Sequence, residues 1–224
     1  MIVDYFLGRQ RCIYCGESCG RLPICAGCEN GLPWNACACP GCARPQTHAA
    51  PCPDCLQHSP LFDSAWTAFR LEPPVQQGVH ALKYHAGFLH AGLLGELMAQ
   101  RLARRAQPMP QLIVPVPLHH TRLMLRGYNQ ALELARGLRR VLDVEVDARA
   151  AQRVRATPDQ IGLSKAERRR NLKSAFAVSA RVADLHIALL DDVMTTGATL
   201  AELARAARKA GAVKIEVWAL ARAG

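Results

Sequence analysis

Aromatic side chains are scarce in this chain. Phe, Trp and Tyr together make up 5% of its 224 residues, so the core of any fold must rest on Leu, Val and Ala. Long apolar runs are missing as well. None approaches the roughly 18 residues that a membrane-spanning helix needs. The opening stretch MIVDYFLGRQRC sets Asp4 among its apolar residues and has no basic start, which matches a secretory leader poorly. A cytoplasmic location is therefore expected. Acidic residues are in deficit, with 18 Asp and Glu against 28 Lys and Arg, a formal charge of +10. That balance favours polyanionic partners such as nucleic acid, phosphorylated metabolites or anionic lipid. Cysteine is absent from everything beyond Cys55.

Before that point cysteine is dense. Eight of the ten fall in CxxC pairs: Cys12 with Cys15, Cys25 with Cys28, Cys39 with Cys42 and Cys52 with Cys55. In a reducing compartment such clustering indicates metal rather than disulfides. Two CxxC hairpins make one tetrahedral thiolate site suited to zinc, so the eight ligands would hold up to two structural zinc ions. Whether the pairs combine in sequence or interleave is open at this stage. Cys19 and Cys37 fall outside the pattern, and His48 and His58 are alternative ligands by residue type only. The zone has too few aliphatic residues to fold on a core of its own, so something must staple it. Arg11, Arg21 and Arg44 give it basic groups, and Tyr14 and Trp34 are of a type that stacks on bases. Trp34 and Trp66 are expected to pack against the ribbon or its junction.

Three zones follow from composition: a double zinc ribbon over residues 1–59, a connector over 60–74, and an α/β domain over 75–224. In the last, helical periodicity covers 75–84, 88–105, 128–142 and 200–209. Strand-like segments fall at 112–116, 144–150, 176–178, 186–190 and 214–221. Strands alternating with helices predict a parallel sheet of the α/β class.

The most informative segment is HIALLDDVMTTGATL, His186–Leu200. An apolar strand ends in Asp191 and Asp192, followed by Val193. A loop of small residues (Thr195, Thr196, Gly197, Ala198 and Thr199) then opens a helix. Ligands of open α/β sheets bind beyond the carboxyl ends of the strands. Backbone N–H groups at a helix start attract phosphate. Two acids beside a phosphate cradle would repel it unless they face something else, and vicinal sugar hydroxyls, which donate to carboxylates, fit that role. The unit reads as a grip for a sugar phosphate. It resembles the phosphoribosyl-pyrophosphate (PRPP) signature of type I phosphoribosyltransferases. The resemblance implies ribose on Asp191 and Asp192 and the 5-phosphate on the loop.

Two further segments complete a pattern. PVPLHHTRLMLRGYNQ sets prolines and cations after a strand, and QIGLSKAERRRNLKSAF is strongly basic. The order PVPLH-x-x-R-x-x-x-RG-Y-NQ, Q-x-GLS-x-x-ER-x-x-N-x-x-x-AF and LLDDV-x-TTGAT, behind a double zinc ribbon, resembles the ComF family. Its members are bacterial proteins associated with DNA uptake in natural competence, with GntX-like relatives. The resemblance implies a pyrophosphate loop of Pro117, Leu118, His119 and Arg122. It puts Lys165, Arg168 and Asn171 on a flap and the LKY residues Lys83 and Tyr84 near the site. Two functions are compatible with it. One is a PRPP-binding protein that handles single-stranded DNA during uptake, partnered by competence-machinery proteins. The other is a phosphoribosyltransferase that passes the ribosyl group to a nucleobase, amine or nucleotide, with magnesium on the released pyrophosphate. No segment announces an acceptor site.

Overall fold

The computed structural model describes residues 10–155 and 174–224. Lys165, Arg168 and Asn171, expected on a flap, lie outside the described residues.

The cysteine-rich zone forms only short elements. β1 (Gln10–Arg11) pairs antiparallel with β2 (Ser18–Cys19), and α1 (Ala26–Asn30) and α2 (Pro53–Gln57) are brief helices that begin at Cys25 and Cys52. There follow β3 (Ser64–Arg70), α3 (Val75–Tyr84), α4 (Phe88–Ala103), β4 (Leu112–Pro115), α5 (His120–Arg126) and α6 (Gln130–Leu138). The chain continues through β5 (Glu145–Val146), β6 (Ala151–Arg153), β7 (Phe176–Val178), β8 (His186–Met194), α7 (Ala198–Lys209) and β9 (Lys214–Arg222). The main sheet runs β3-β9-β8-β4-β5 with every pair parallel, and β6 pairs with β7 in a separate antiparallel ribbon.

Both faces of the sheet are covered, as parallel sheets require. Ile187, Leu189, Ile215 and Val217 pack with Leu200, Leu203 and Ala207 of α7. On the other side Leu190, Trp218 and Leu220 pack with Leu94, Leu97, Leu134 and Leu138 of α4 and α6. This two-sided burial explains why β8 and β9 read as near-continuous apolar runs.

The stretch 60–74, expected as a connector, instead carries β3, the edge strand of the main sheet. Its Trp, Thr and Phe residues alternate too irregularly to announce a strand. Pairing with β9 from Ser64 to Arg70 gives it its form. β3 also fastens the ribbon. Trp34 stacks on Phe69 with ring centroids 4.5 Å apart, under the guanidinium of Arg101. The amide of buried Asn35 donates to Thr67 Oγ1 at 2.7 Å and to the Ala43 carbonyl at 2.9 Å. Trp34 is therefore a packing residue of the junction, as expected.

Other departures are local. The helix expected at 128–142 starts only at Gln130, because Asn129 caps it by accepting from the Ala131 N–H. Of the strand expected at 144–150 only β5 (Glu145–Val146) forms, and β6 begins beyond it at Ala151. The segment after β4, read as loop, contains α5, which Gly127 ends in the left-handed region at φ 79°. Among the described residues no helix is long and apolar enough to cross a membrane.

Helices α4 and α6 cross on glycines. A Cβ added at Gly95 would lie 2.8 Å from the Leu134 carbonyl oxygen, and one at Gly137 would meet the Gly95 backbone at 3.0 Å. Alanine gains up to about 1 kcal/mol in helix propensity over glycine. Forcing backbone apart in a packed contact costs roughly 1–3 kcal/mol, and the contact wins. Gly95→Ala is thus expected to lower the urea midpoint with an unchanged slope. A variant as stable as its parent would show that the helices part freely.

Candidate ligand site and metal centres

The site forms where two neighbouring strands separate. β4 stays in register with β8 only as far as Pro115 opposite Leu190, with a last hydrogen bond from the Val116 N–H to the Leu190 carbonyl at 2.8 Å. Pro115 and Pro117 carry no N–H, so the ladder cannot continue. β8 runs on through Met194, paired on its other side with β9. The strand expected to end at Leu190 therefore includes Asp191, Asp192 and Val193. The acids stand on an edge opened by the departure of β4, the crevice position for a ligand of a parallel sheet.

Each acid has one oxygen tied down. Asp191 Oδ1 accepts from the Asp192 N–H at 2.9 Å, and Asp192 Oδ1 accepts from the Val193 N–H at 2.8 Å. Lys83, at the end of α3, brings its ammonium 3.0 Å from Asp192 Oδ2, an ion pair without hydrogen-bond alignment. Asp192 is buried, while Asp191 keeps a path to solvent although protein atoms crowd it. Burial and the neighbouring Asp192 push the Asp191 carboxyl well above its ordinary range, against the pull of the Asp192 N–H and Lys83.

The loop after the strand is shaped by Gly197, in the left-handed region at φ 74°, where a Cβ would strike the Met194 side chain. Thr196 Oγ1 accepts from the Ala198 N–H at 3.4 Å, and Thr195 and Thr196 are exposed at the start of α7. Thr199 lies half-buried one residue into the helix. From beneath, the buried guanidinium of Arg222 holds this loop. Its Nη1 donates to the carbonyls of Met194 at 3.0 Å and Thr195 at 2.5 Å, and to Ala223. Its Nε donates to the Cys42 carbonyl at 3.0 Å, which joins the loop to the second cysteine group. Burial pulls the Arg222 pKa below its usual value, yet the group stays charged. Nothing in the sequence singled out Arg222, which stands at the end of an apolar strand thirty residues from the acids.

The expected neighbours fall into place unevenly. Lys83 reaches the acids, whereas Tyr84 is exposed with its ring 4.8 Å from that of His80. Pro117 and Leu118 lead from β4 into α5, which His119 caps by accepting from the Thr121 N–H. Slight burial and then the charges of His120, Arg153 and Arg122 lower the pKa of His119, so cations gather beside the end of β4. Two residues of the same motif act as braces. The Tyr128 hydroxyl donates to the Leu82 carbonyl beside Lys83, and Asn129 Nδ2 donates to the Val116 carbonyl at 2.9 Å. They lock the end of α3 to the loop after β4. The sequence offered only their place in the motif as a signal.

The cysteines group in sequence order without interleaving: Cys12, Cys15, Cys25 and Cys28 in one set, and Cys39, Cys42, Cys52 and Cys55 in the other. Within each set all four sulfurs lie within 4.8 Å of one another. The Cys15–Cys25 and Cys42–Cys52 sulfurs are both 3.6 Å apart. A tetrahedron with Zn–S bonds of about 2.3 Å has edges near 3.8 Å, so both sets fit zinc. Burial works against ionisation of Cys12 and Cys39, but backbone N–H donors outweigh it and bring them to about 6 and about 7. Cys15, Cys28, Cys42 and Cys55 are held up, Cys28 to about 12 by the Cys15 and Cys12 sulfurs. Metal arriving at such a set displaces the remaining protons. Four thiolates fill a tetrahedron, which marks both sites as structural. Cys19 stands apart, its thiol donating to the Gln10 carbonyl.

Two measurements follow. Metal analysis of purified protein is expected to give two zinc ions per chain, and Cys39→Ser is expected to leave about one. Loss of both ions would mean the sets are interdependent. The second concerns Asp191, whose raised pKa leaves a proton on the folded chain that the unfolded chain releases above 3.8. The acid therefore costs stability as pH rises from there towards its raised pKa. Asp191→Asn removes that cost. The variant is expected to exceed its parent in stability at pH 8, with the gap closing towards pH 4, in urea titrations at both values. A parent more stable at pH 8 would contradict the account of burial and like charge.

No family model matches the chain. Whole-length relatives do. DNA utilization protein YhgH of Escherichia coli (strain K12) is 37% identical over 208 residues, which cover 91% of this chain and 92% of that protein. Competence protein F of Haemophilus influenzae is 35% identical over 226 residues, covering 95% and 97%. Among solved structures, a purine phosphoribosyltransferase from Pyrococcus horikoshii is 15% identical over 66% of this chain and 82% of its own, at a TM-score of 0.33. The chain itself forms a five-stranded parallel sheet with helices on both faces, and two four-cysteine groups precede it. Identity above one third along nine-tenths of both chains settles kinship: the chain belongs to the ComF family, to which competence protein F also belongs.

Proposed function

We propose that the chain binds PRPP at the end of β8 and serves in DNA uptake as a cytoplasmic factor that handles single-stranded DNA. One observation carries the first part: two carboxylates on a strand end beside a helix-opening loop, each with one oxygen held by backbone. The remaining carboxylate oxygens accept from the vicinal hydroxyls of a ribose. The N–H groups from Gly197 onward, with the threonine hydroxyls, take the 5-phosphate. Lys83 holds the charge of the acid pair in check until the hydroxyls arrive. The cations near His119 face the diphosphate, where magnesium would supply the remaining neutralisation. The role in uptake is carried over from the names of the relatives, DNA utilization protein and competence protein. The net charge of +10 supports a polyanionic strand as partner.

Asp192→Asn removes an acceptor for a sugar hydroxyl. PRPP affinity by calorimetry is expected to fall roughly tenfold to a hundredfold, the worth of a hydrogen bond to a charged group, with zinc content unchanged. An unaltered affinity would refute the site. Binding of a short oligothymidylate is expected to weaken with salt, with a log–log slope of about −0.7 for each phosphate contacted. Salt-independent binding would remove the electrostatic basis of DNA handling. Pyrophosphate release from PRPP with a nucleobase in the same samples would establish the transferase alternative instead.

A further inference from the structure

Between the helix-opening loop and the second cysteine group lies a cavity of about 670 Å³ that the sugar-phosphate reading does not use. Thr196, Gly197, Ala198 and Ala201 line it from the loop and α7, and Leu61 and Phe62 from the segment before β3. Neither aspartate nor Lys83 lines it. The acids therefore stand outside this cavity, which borders the loop that follows them.

The charges around the cavity are already matched. Arg44 pairs with Asp54 at 2.8 Å, Glu202 pairs with Arg205 at 2.6 Å, and the Arg222 guanidinium is occupied by backbone carbonyls. Cys42 and Cys55 also line it, and four thiolates around one divalent ion carry net negative charge. A second phosphate is poorly served there. An uncharged planar ring suits the apolar walls and polar rim, and the volume lies within the range of about 300–1,000 Å³ typical of small-molecule pockets. A nucleobase is such a ring.

A phosphate on the loop, a sugar beside the acids and a base in the cavity trace a strand through a phosphodiester. The sugar beside the acids must donate a hydroxyl. A deoxyribose inside a strand has none, because its 2′ carbon bears no oxygen and its 3′ oxygen is esterified. Among sugars whose 5′ oxygen carries the phosphodiester held by the loop, the 3′-terminal one alone keeps a hydroxyl. We infer that the site receives the 3′ end of single-stranded DNA. The terminal 3′-hydroxyl lies on Asp191 and Asp192, its 5′-phosphodiester on the loop Thr195–Thr199, and the base of the preceding nucleotide in the cavity. This inference rests on the sugar-phosphate reading and adds the class of strand terminus that the same site accepts.

Competition against labelled PRPP tests it. The probes are a short oligothymidylate with a free 3′-hydroxyl and the same strand ended by a 3′-phosphate. The hydroxyl strand is expected to displace PRPP, and the phosphate-ended strand to need at least roughly tenfold more, the cost of losing a hydrogen bond to a carboxylate. Ala201→Phe, which fills the cavity, is expected to keep PRPP binding and lose displacement by the strand. Leu61→Glu, a change at an exposed rim residue, is expected to weaken displacement in the same direction without disturbing the helix. Equal competition by both strands, or displacement unchanged in both variants, would overturn the inference. If PRPP does not bind, the sugar-phosphate reading fails. Direct titration of the two strands then decides this one separately: indifference to the 3′ group overturns it, and a preference for the hydroxyl sustains it.

Discussion

Two adjacent carboxylates at the end of a buried strand repel one another, and most of the domain's local architecture is arranged around that repulsion. Asp191 and Asp192 follow each other on β8 past the point where β4 has left the sheet. Each gives one oxygen to the next backbone N–H, and Lys83 supplies the only ammonium described against them. Burial, and then the charge of Asp192, still push the Asp191 pKa well up. Strain of this kind is tolerated where a ligand relieves it, and perturbed carboxyls in a crevice are a recognised sign of a functional site. Hydroxyl donors from a sugar would offset the repulsion that the free protein carries.

The position of Lys83 depends in turn on distant contacts. Tyr128 holds the Leu82 carbonyl and Asn129 holds the Val116 carbonyl, so α3, the loop after β4 and the start of α6 move as one piece. On the far side Arg222 binds the carbonyls of Met194, Thr195 and Cys42. The second cysteine group is thereby continuous with the loop that opens α7, and the ribbon is part of that loop's scaffold rather than an appendage. The first group contacts the domain by a different route, through the pairing of Arg21 with buried Glu96.

Much of this was legible in the sequence because its chemistry is local. Four evenly spaced CxxC pairs point to metal from spacing alone, and a strand ending in two acids before a Gly-containing loop points to a ligand. The apolar runs of β8 and β9 announced a strand buried on both faces. What stayed hidden depends on pairing and long-range contact. β3 takes its form from β9 and carries no pattern of its own. Arg222 reads as the polar end of a strand until its carbonyl partners are seen. Glycines 95 and 137 look like weak points in two helices, and become necessary only when the helices cross. Tyr84 shows the converse: its place in a motif suggested a role at the acids, and the fold turns it to solvent.

The central claim is that a sugar phosphate binds across the end of β8 and the start of α7. Hydrogen–deuterium exchange of the unmodified protein with and without PRPP tests it most directly. Slowed exchange in peptides spanning Asp191–Ala201, the loop Pro117–Arg122 and the end of α3 is the predicted result. Protection elsewhere in the chain with no change over Asp191–Ala201 would contradict it.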